Sequence, residues 1–539
     1  MSSTTTTGGA PGAAPAIDLH GRSPWSVLPP LVLGFFMIMV DTTIVNVAVP
    51  SLQHHFDAGV TAVGWVNSAY LLSFAVLMLF AGRLGDRLGN REVFVAGLVV
   101  FTLSSMWCGF AGSIGTLIVA RLVQGVGGAL MTPQTMAVIT RVFPPLKRGA
   151  AMGVWGAVAG VATIAGPVLG GFFVEAGDSG WRWIFFVNVP IGVVALLLSL
   201  RFIPHLPTRV AYFDWVGVVL SGIGFFALIF GLQEGESYHW GHVWGPFSVW
   251  SLIIGGVVVI GLFVWWQSRL GDRALLPLRL FHVRNFSLAN VTGMAVTFSM
   301  IGIFFPLTIF LQSIMGLSPL HAALVNLPGS LVSGIVAPFA GRLSDRISGK
   351  WVVATGFLVI GVAMGWLALI LDPAMSVGAF IAPMCVFGLG TGLIFSPMAN
   401  LATSGLDHST AGAGAGAFNA NRQVGGVIGS AAIIALLTAR LASLMPTEAA
   451  KASLSLPEEY RAPFVEALSK VDLTASSGGM TLPDGIPDSA RAALEAAGNQ
   501  AFHGAFQGAV QSTLLLVVGV LVVGCLSALA MRRTVKHTH

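Results

Sequence analysis

Apolar residues run through this chain in stretches of about twenty, each closed by a short segment rich in Arg, Asp, Gly or Pro. A membrane-spanning helix needs roughly 20 mostly apolar residues. Fourteen stretches meet that length: 27–49, 61–81, 92–111, 116–139, 150–174, 182–203, 213–232, 247–267, 286–311, 321–340, 351–371, 376–402, 412–438 and 511–531. The pattern predicts an all-α polytopic membrane protein. One polar segment occurs twice. Gly82-Arg-Leu-Gly-Asp-Arg-Leu-Gly-Asn-Arg91 returns 259 residues later as Gly341-Arg-Leu-Ser-Asp-Arg-Ile-Ser-Gly-Lys350. The repeat pairs the second helix with the tenth, leaving two bundles of six (helices 1–6 and 9–14) with helices 7 and 8 between them. The predicted organisation is a disordered tail at 1–26, a first bundle at 27–203 and a linker pair with flanking loops at 204–285. A second bundle follows at 286–531, containing an external loop at 439–510, and then a short tail at 532–539. Duplicated bundles of this kind belong to secondary transporters, whose halves rock about a site near the bilayer midplane.

Composition narrows the class further. Only 9% of residues are charged and 55% are hydrophobic, with a mean hydropathy of +0.83, whereas a soluble domain carries about 25% charged residues. The pI near 9.4 therefore reads as an asymmetry between loops, not as affinity for nucleic acid. Cys108, Cys385 and Cys525 all lie in apolar stretches, and no pair suggests a disulfide or a metal site. The twelve histidines fall in loops, tails or at helix ends, which argues against a metal relay in the core. Residues 1–22 are rich in Ser, Thr, Gly, Ala and Pro, and the apolar run after them continues as a spanning helix, so no cleaved signal peptide is expected.

Orientation follows from Lys and Arg in the short loops. With the N-terminus inside, the cytoplasmic side collects nineteen of them, among them Arg83, Arg87, Arg91, Arg141, Arg342, Arg346 and Lys350, while the short external loops hold only Arg182. Both termini are then cytoplasmic. Segment 439–510 has eight acids against five bases and includes helix-like stretches at Glu458–Val471 and Asp488–Phe506. Helix parity places it outside, either as a cover over a vestibule or as a solvated insertion.

Among the acids, Asp41 alone is expected well inside the hydrocarbon, in Val40-Asp-Thr-Thr-Ile-Val-Asn-Val-Ala-Val-Pro50. A charge at a helix centre costs roughly 2.5–3.5 kcal/mol on insertion scales, so such a residue is a functional candidate by default. Asp41 lies about 12 Å below the outer surface and Arg121, on the fourth helix, about 8 Å below it, at 1.5 Å per residue. A pair is compatible with those depths. Burial disfavours a charged carboxyl group while a neighbouring guanidinium favours it, a balance suited to a group that loads and unloads a proton. Asp41 is the candidate coupling carboxylate and Arg121 the residue that tunes it; a purely structural ion pair is the alternative. Arg422, about 15 Å into the thirteenth helix from the cytoplasm, has no second deep acid to meet. Backbone carbonyls, Asn419, Gln423 or a substrate are its possible partners. One deep Asp against two deep Arg makes a dedicated dication site unfavourable.

These segments resemble the motifs of the major facilitator superfamily, and more narrowly its fourteen-helix drug:proton antiporters. The repeated segment resembles the family's signature loop. Leu117-Ile-Val-Ala-Arg121-Leu-Val-Gln124-Gly125-Val-Gly127-Gly128 resembles its helix-4 motif, whose arginine is implicated in proton transfer. Gly156, Gly160, Gly166, Pro167, Gly170 and Gly171 resemble the antiporter motif of helix 5. The Asp41–Pro50 segment and Trp181-Arg-Trp-Ile-Phe-Phe-Val-Asn188-Val-Pro190 resemble the fourteen-helix branch in helices 1 and 6. The resemblance implies two six-helix bundles plus two central linker helices. It implies gating by Gly82, Gly85, Asp86 and Arg87, with Asp86 and flanking arginines as a charge latch. Asp345 and Arg346 form the second-half counterpart, where Ser344 replaces the second glycine. It also implies a seal against proton leak at Gly166, Pro167 and Gly170. Substrate contacts are expected from Asn46, Gln124 and Arg422, with Trp65, Tyr70, Trp155, Phe304, Phe305 and Phe395 as aromatic candidates.

The expected function is proton-coupled antiport exporting amphipathic drugs or antibiotics across a bacterial cytoplasmic (inner) membrane. The expected partners are a small amphipathic substrate, protons and the lipid bilayer, with no cofactor and no nucleic acid; the oligomeric state stays open. No Gly-x-x-x-x-Gly-Lys-Ser/Thr loop is present, so ATP is not implied. Export of an endogenous lipid, siderophore or metabolite by the same cycle is the alternative, and a non-transporting receptor on the same fold is a third. An enzyme fits least, since no nucleophile–base or metal constellation falls in the core.

Overall fold

The computed structural model describes residues 22–58, 60–144, 147–174, 177, 179–208, 214–235, 238, 240–403, 406, 411–469 and 488–532. Long helices dominate it. We label them α1 (Leu28–Val47), α2 (Val60–Leu88), α3 (Asn90–Gly109), α4 (Ile114–Val142), α5 (Arg148–Val174), α6 (Asn188–Phe202) and α7 (Trp215–Glu234). The rest are α8 (Val249–Leu270), α9 (Arg284–Ile309), α10 (Leu327–Arg346), α11 (Gly349–Ile370), α12 (Ile381–Thr403), α13 (Ala411–Ser453) and α14 (Asp488–Leu529). Thirteen stretches among the described residues are long and apolar enough to cross a membrane. The 27-residue α5, rich in Gly and Ala, occupies the place of the fifth span. The protein is thus a multi-pass membrane protein built almost wholly of helices. A two-stranded hairpin between α7 and α8 (His242–Trp244 with Phe247–Ser248) is the exception to helix among the described residues.

Helices α1–α6 pack on one another, as do α9–α14, and two seams join the groups: α2 against α13 and α5 against α10. The linker helix α7 packs on α2 and α13, while α8 packs chiefly on α7 and leaves most of its surface to lipid. Side-chain contacts fix α7 at both ends. Ser68 Oγ donates to the buried Glu234 carboxylate at 2.7 Å. At the other end Asp214 accepts from the Gly217 amide, Trp266 Nε1 and Gln267 Nε2 at 2.7–3.0 Å.

Two sequence expectations need correction. The repeated segment is not mainly a loop: α2 runs helical to Leu88, and Gly89 alone breaks it, at φ +109°, before α3 starts at Asn90. Left-handed backbone of that kind favours glycine, and it lets two spanning helices meet through a single residue. Segment 439–510 is likewise not a loop over most of its described length. Helix α13 continues to Ser453, Glu458–Ser469 forms a further helix, and α14 begins at Asp488. At 43 and 42 residues, α13 and α14 are each roughly 65 Å long, about twice the hydrocarbon thickness. They stay packed together beyond it: Arg440 Nε donates to Ser512 Oγ at 3.0 Å, and Met445, Ala449, Ala452, Leu456, Ala497 and Ala501 are buried. Alanine supplies helix propensity without a long apolar stripe, which hid this extension from a hydropathy reading. The expected tails fall largely outside the described residues, which include 22–26 of the first and Arg532 of the second.

A Cβ placed on Gly504 would lie 3.4 Å from Glu448 Cγ. Cysteines at these two positions, in a background without the three native ones, should therefore form a disulfide under mild oxidation. A gel shift after proteolysis within 470–487 reads the link, and failure to link would mean that the projecting helices are not packed as described.

Candidate functional site

The first bundle closes around a carboxylate. Asp41 sits near the middle of α1 with no exposed surface. Its Oδ2 accepts from Arg121 Nη1 at 2.5 Å, and its Oδ1 accepts from Gln124 Nε2 at 2.8 Å and Asn188 Nδ2 at 3.1 Å. All three partners are donors, which suits an anion. Positions 121 and 124 are one helical turn apart on α4 and share a face, so a single stretch supplies two of them. The third comes from the first residue of α6, where Asn188 also donates to Ser105 Oγ on α3 at 3.0 Å. Ser105 in turn donates to the Phe185 carbonyl at 2.9 Å.

Arg121 is as deeply enclosed as its partner. Its Nε donates to the Val66 carbonyl on α2 at 3.1 Å, and Nη1 also donates to Gln124 Oε1 at 2.9 Å. Its guanidinium lies 4.2 Å over the Tyr70 ring, a cation–π contact in a desolvated setting. Helices α1, α2, α3, α4 and α6 thereby all converge on one ion pair.

The glycines of α5 press this helix onto α1 beside the pair. A Cβ on Gly166 would fall 1.9 Å from Thr43 Oγ1, and one on Gly170 would fall 3.0 Å from the Ile44 carbonyl. Pro167 is accommodated without interrupting the helix. The same helix meets the second half of the chain: a Cβ on Gly153 would lie 2.8 Å from Pro338 Cα, and one on Gly156 3.4 Å from Phe395 Cβ.

A second group of polar residues lies at one end of the seam, where α2 meets the start of α13. Asp86 Oδ1 accepts from Arg141 Nη2 at 3.2 Å, and Oδ2 accepts from the backbone N–H of Ala413 at 3.2 Å. Ala413 is in the first turn of α13, where exposed N–H groups and the helix dipole favour an anion. The contact joins the two halves. Arg83 instead donates to the carbonyls of Ala274 and Leu275, ahead of α9, and Arg87 is exposed. Gly85 leaves room for Gln134, which accepts from Asn90 Nδ2 and donates to the Ala81 carbonyl, both at 2.7 Å. Gly82 and Gly341 each face a glycine across a seam. A Cβ on Gly416 would lie 3.5 Å from Gly82 Cα, and one on Gly341 2.2 Å from the Gly149 carbonyl. Ser396 Oγ donates to that carbonyl at 3.0 Å. Arg346 is exposed; the side chains of Asp345 and Asn46 lie outside the described residues.

The structure thus brings together Asp41, Arg121 and Gln124, and separately Asp86 with the start of α13. Gln124, expected as a substrate contact, is wholly buried among Asp41, Arg121 and the Cys108 thiol, which donates to its Oε1 at 3.6 Å. Its helical spacing from Arg121 dictates this. Sequence reading missed Asn188, Ser105 and Arg141 as partners. The asparagine was visible as a polar residue opening an apolar helix, but its target lies 147 positions away. Of the aromatic candidates, Tyr70 lies under Arg121, Trp155 stacks on Phe35 at 4.2 Å, Phe305 is exposed, and Phe395 lies under Arg422.

Comparison with known proteins identifies a family and relatives of this chain. The model of the Major Facilitator Superfamily matches residues 31–430. An uncharacterised transporter of that superfamily from Mycobacterium tuberculosis is 44% identical over 458 residues, 83% of this chain and 78% of the relative. The tetracenomycin C resistance and export protein of Streptomyces glaucescens is 32% identical, covering 87% and 86%. The multidrug resistance protein Stp of Mycobacterium tuberculosis is 34% identical, covering 77% and 76%.

Removing one member of a buried ion pair strands the other, typically at about 3–5 kcal/mol. Arg121→Ala should lower the thermal unfolding temperature in detergent markedly. Asp41→Asn combined with Arg121→Gln, which leaves no charge to strand, should recover much of the loss. Equal unfolding temperatures for Arg121→Ala and the double variant would show that the pair is not coupled.

Proposed function

Because this chain belongs to the major facilitator superfamily, we propose that it is a proton-coupled antiporter, exporting amphipathic drugs or antibiotics across a bacterial cytoplasmic membrane with both termini inside. The observation that carries the reading is Asp41: a carboxylate enclosed in the first bundle, held by three donors from α4 and α6, one of them a cation. Adding a proton to an Asp41 oxygen removes the charge attraction to Arg121. The guanidinium keeps the Val66 carbonyl, Gln124 Oε1 and the Tyr70 ring, so α4 loses less than α1 does. The contacts between α1 and its neighbours then weaken where Gly166 and Gly170 press α5 against it.

Coupling needs only two states with different affinities for proton and substrate. A proton arriving from outside would favour return of the carrier, and cytoplasmic substrate would displace it on the next cycle. The Asp86–Ala413 contact supports a latch on the cytoplasmic side, since parting the halves costs the carboxylate its helix-terminal donor. The export and resistance proteins among the relatives support a drug or antibiotic as cargo. The proton gradient would be the sole energy source, and no cofactor is required by the cycle.

Two measurements test this. In proteoliposomes, ethidium-like cations, neutral antibiotics and acidic amphiphiles are presented in turn while internal pH is followed. At least one should evoke proton flux in the wild type and none in Asp41→Asn; undiminished flux in the variant would remove Asp41 from the coupling role. For the latch, Asp86→Asn should raise the labelling of a cysteine introduced at Gly416 by an impermeant reagent added from the cytoplasmic side, several-fold over the same cysteine with Asp86 intact. Unchanged labelling would mean that the carboxylate does not hold the seam.

A further inference from the structure

Helix α13 presents Gly416 and Asn419 to the first bundle, and Arg422 follows one turn later on a face turned toward α9 and Phe395. The first two are sealed. A Cβ on Gly416 would lie 3.1 Å from the Met78 carbonyl, and Asn419 Nδ2 contacts Met136 Sδ on α4 at 3.3 Å. Arg422, one turn beyond Asn419, is half-buried. Its stem lies along α9, where a Cβ on Gly293 would come within 3.0 Å of its Cγ, and the Thr297 hydroxyl donates to its carbonyl at 2.6 Å. The guanidinium lies over the Phe395 ring at 5.8 Å, and its Nε is buried without a hydrogen-bond partner.

No carboxylate among the described residues pairs with this cation. The buried acids there are engaged elsewhere: Asp41 by Arg121, Asp86 by Arg141 and Ala413, Asp214 by two side chains and an amide, and Glu234 by Ser68. A deep cation with an orphan donor is costly unless an anion completes it. We propose that Arg422 is an anion subsite at the floor of the space between the bundles, taking a carboxylate, sulfonate or ionised phenol of an amphipathic substrate whose apolar ring lies against Phe395. Planar guanidinium donors match a carboxylate in a two-point contact, and the aromatic face receives the apolar part of the same molecule. The inference rests on the exporter reading in naming the ligand as cargo.

Three probes sharing one fluorophore test it: dansylglycine (anionic), dansylamide (neutral) and dansylcadaverine (cationic). Binding is followed by fluorescence to the full-length protein in nanodiscs of zwitterionic lipid, without a proton gradient. The wild type should bind dansylglycine on the order of tenfold more tightly than dansylamide, as expected for a charge-assisted hydrogen bond. Arg422→Gln should erase that preference while leaving dansylamide within about twofold, and Arg422→Lys should keep part of it. Equal affinity of the wild type for all three probes overturns the proposal, whether or not any variant folds. Equal weakening of all three in Arg422→Gln overturns it too, since that is the mark of lost packing. Loss of dansylglycine binding in nanodiscs of phosphatidylglycerol would assign the subsite to a lipid phosphate and so also overturn it. Proton coupling plays no part in this equilibrium, so a failed flux experiment and a failed subsite give separate signatures.

Discussion

A charge carried into hydrocarbon must meet an opposite charge, a set of dipoles or water, and that constraint organises this protein. Asp41 and Arg121 satisfy it mutually, at the point where five helices of the first bundle come closest. Other elements of that bundle close around them: Gln124 of α4, the first residue of α6 and a carbonyl of α2 each bond to the pair, and a serine of α3 holds Asn188 in place. Apolar packing alone would not select this register, since lipid tails are as apolar as the helix faces. The polar centre supplies the specificity that the oily surfaces lack.

The second bundle handles the constraint differently. Its deep cation, Arg422, is carried on the face that meets the opposite bundle, and an aromatic ring takes part of the role that an acid plays for Arg121. One half of the molecule pairs its buried cation with an acid, and the other leaves its cation half-buried over an aromatic ring. The two halves thus differ in how each accommodates a deep cation.

Much of the fold was legible because a spanning helix announces itself by length and hydropathy alone, and because the repeated polar segment tied helix 2 to helix 10. The Asp41–Arg121 contact was legible from depth: two charges about 4 Å apart along the membrane normal have strong reason to meet. Other features were not. Asn188 joins the site only when α6 folds back across 147 residues, and no local pattern encodes that. Gln124 was taken for a cavity residue because a buried amide and a cavity-facing amide look alike in sequence. The continuation of α13 to Ser453 escaped because its apolar content is mostly alanine, whose helical preference leaves hydropathy low, whereas the opening of α14 read as helix-like from Asp488.

Helix α5 carries a consequence of its own. On one side its glycines admit the backbone of α1, and on the other they admit Pro338 and Phe395 of the second half. Where those glycines lie the helix is as thin as a helix can be, while Trp155, stacked on Phe35 of α1, anchors it to that neighbour at another point. Such a surface works as a plain bearing: it stays close-fitting while the parts on each side slide, where ridged faces would have to climb over one another to move. Smoothness would let one helix keep a tight boundary and still pass displacement from the proton-binding half to the half that carries Phe395 and Arg422.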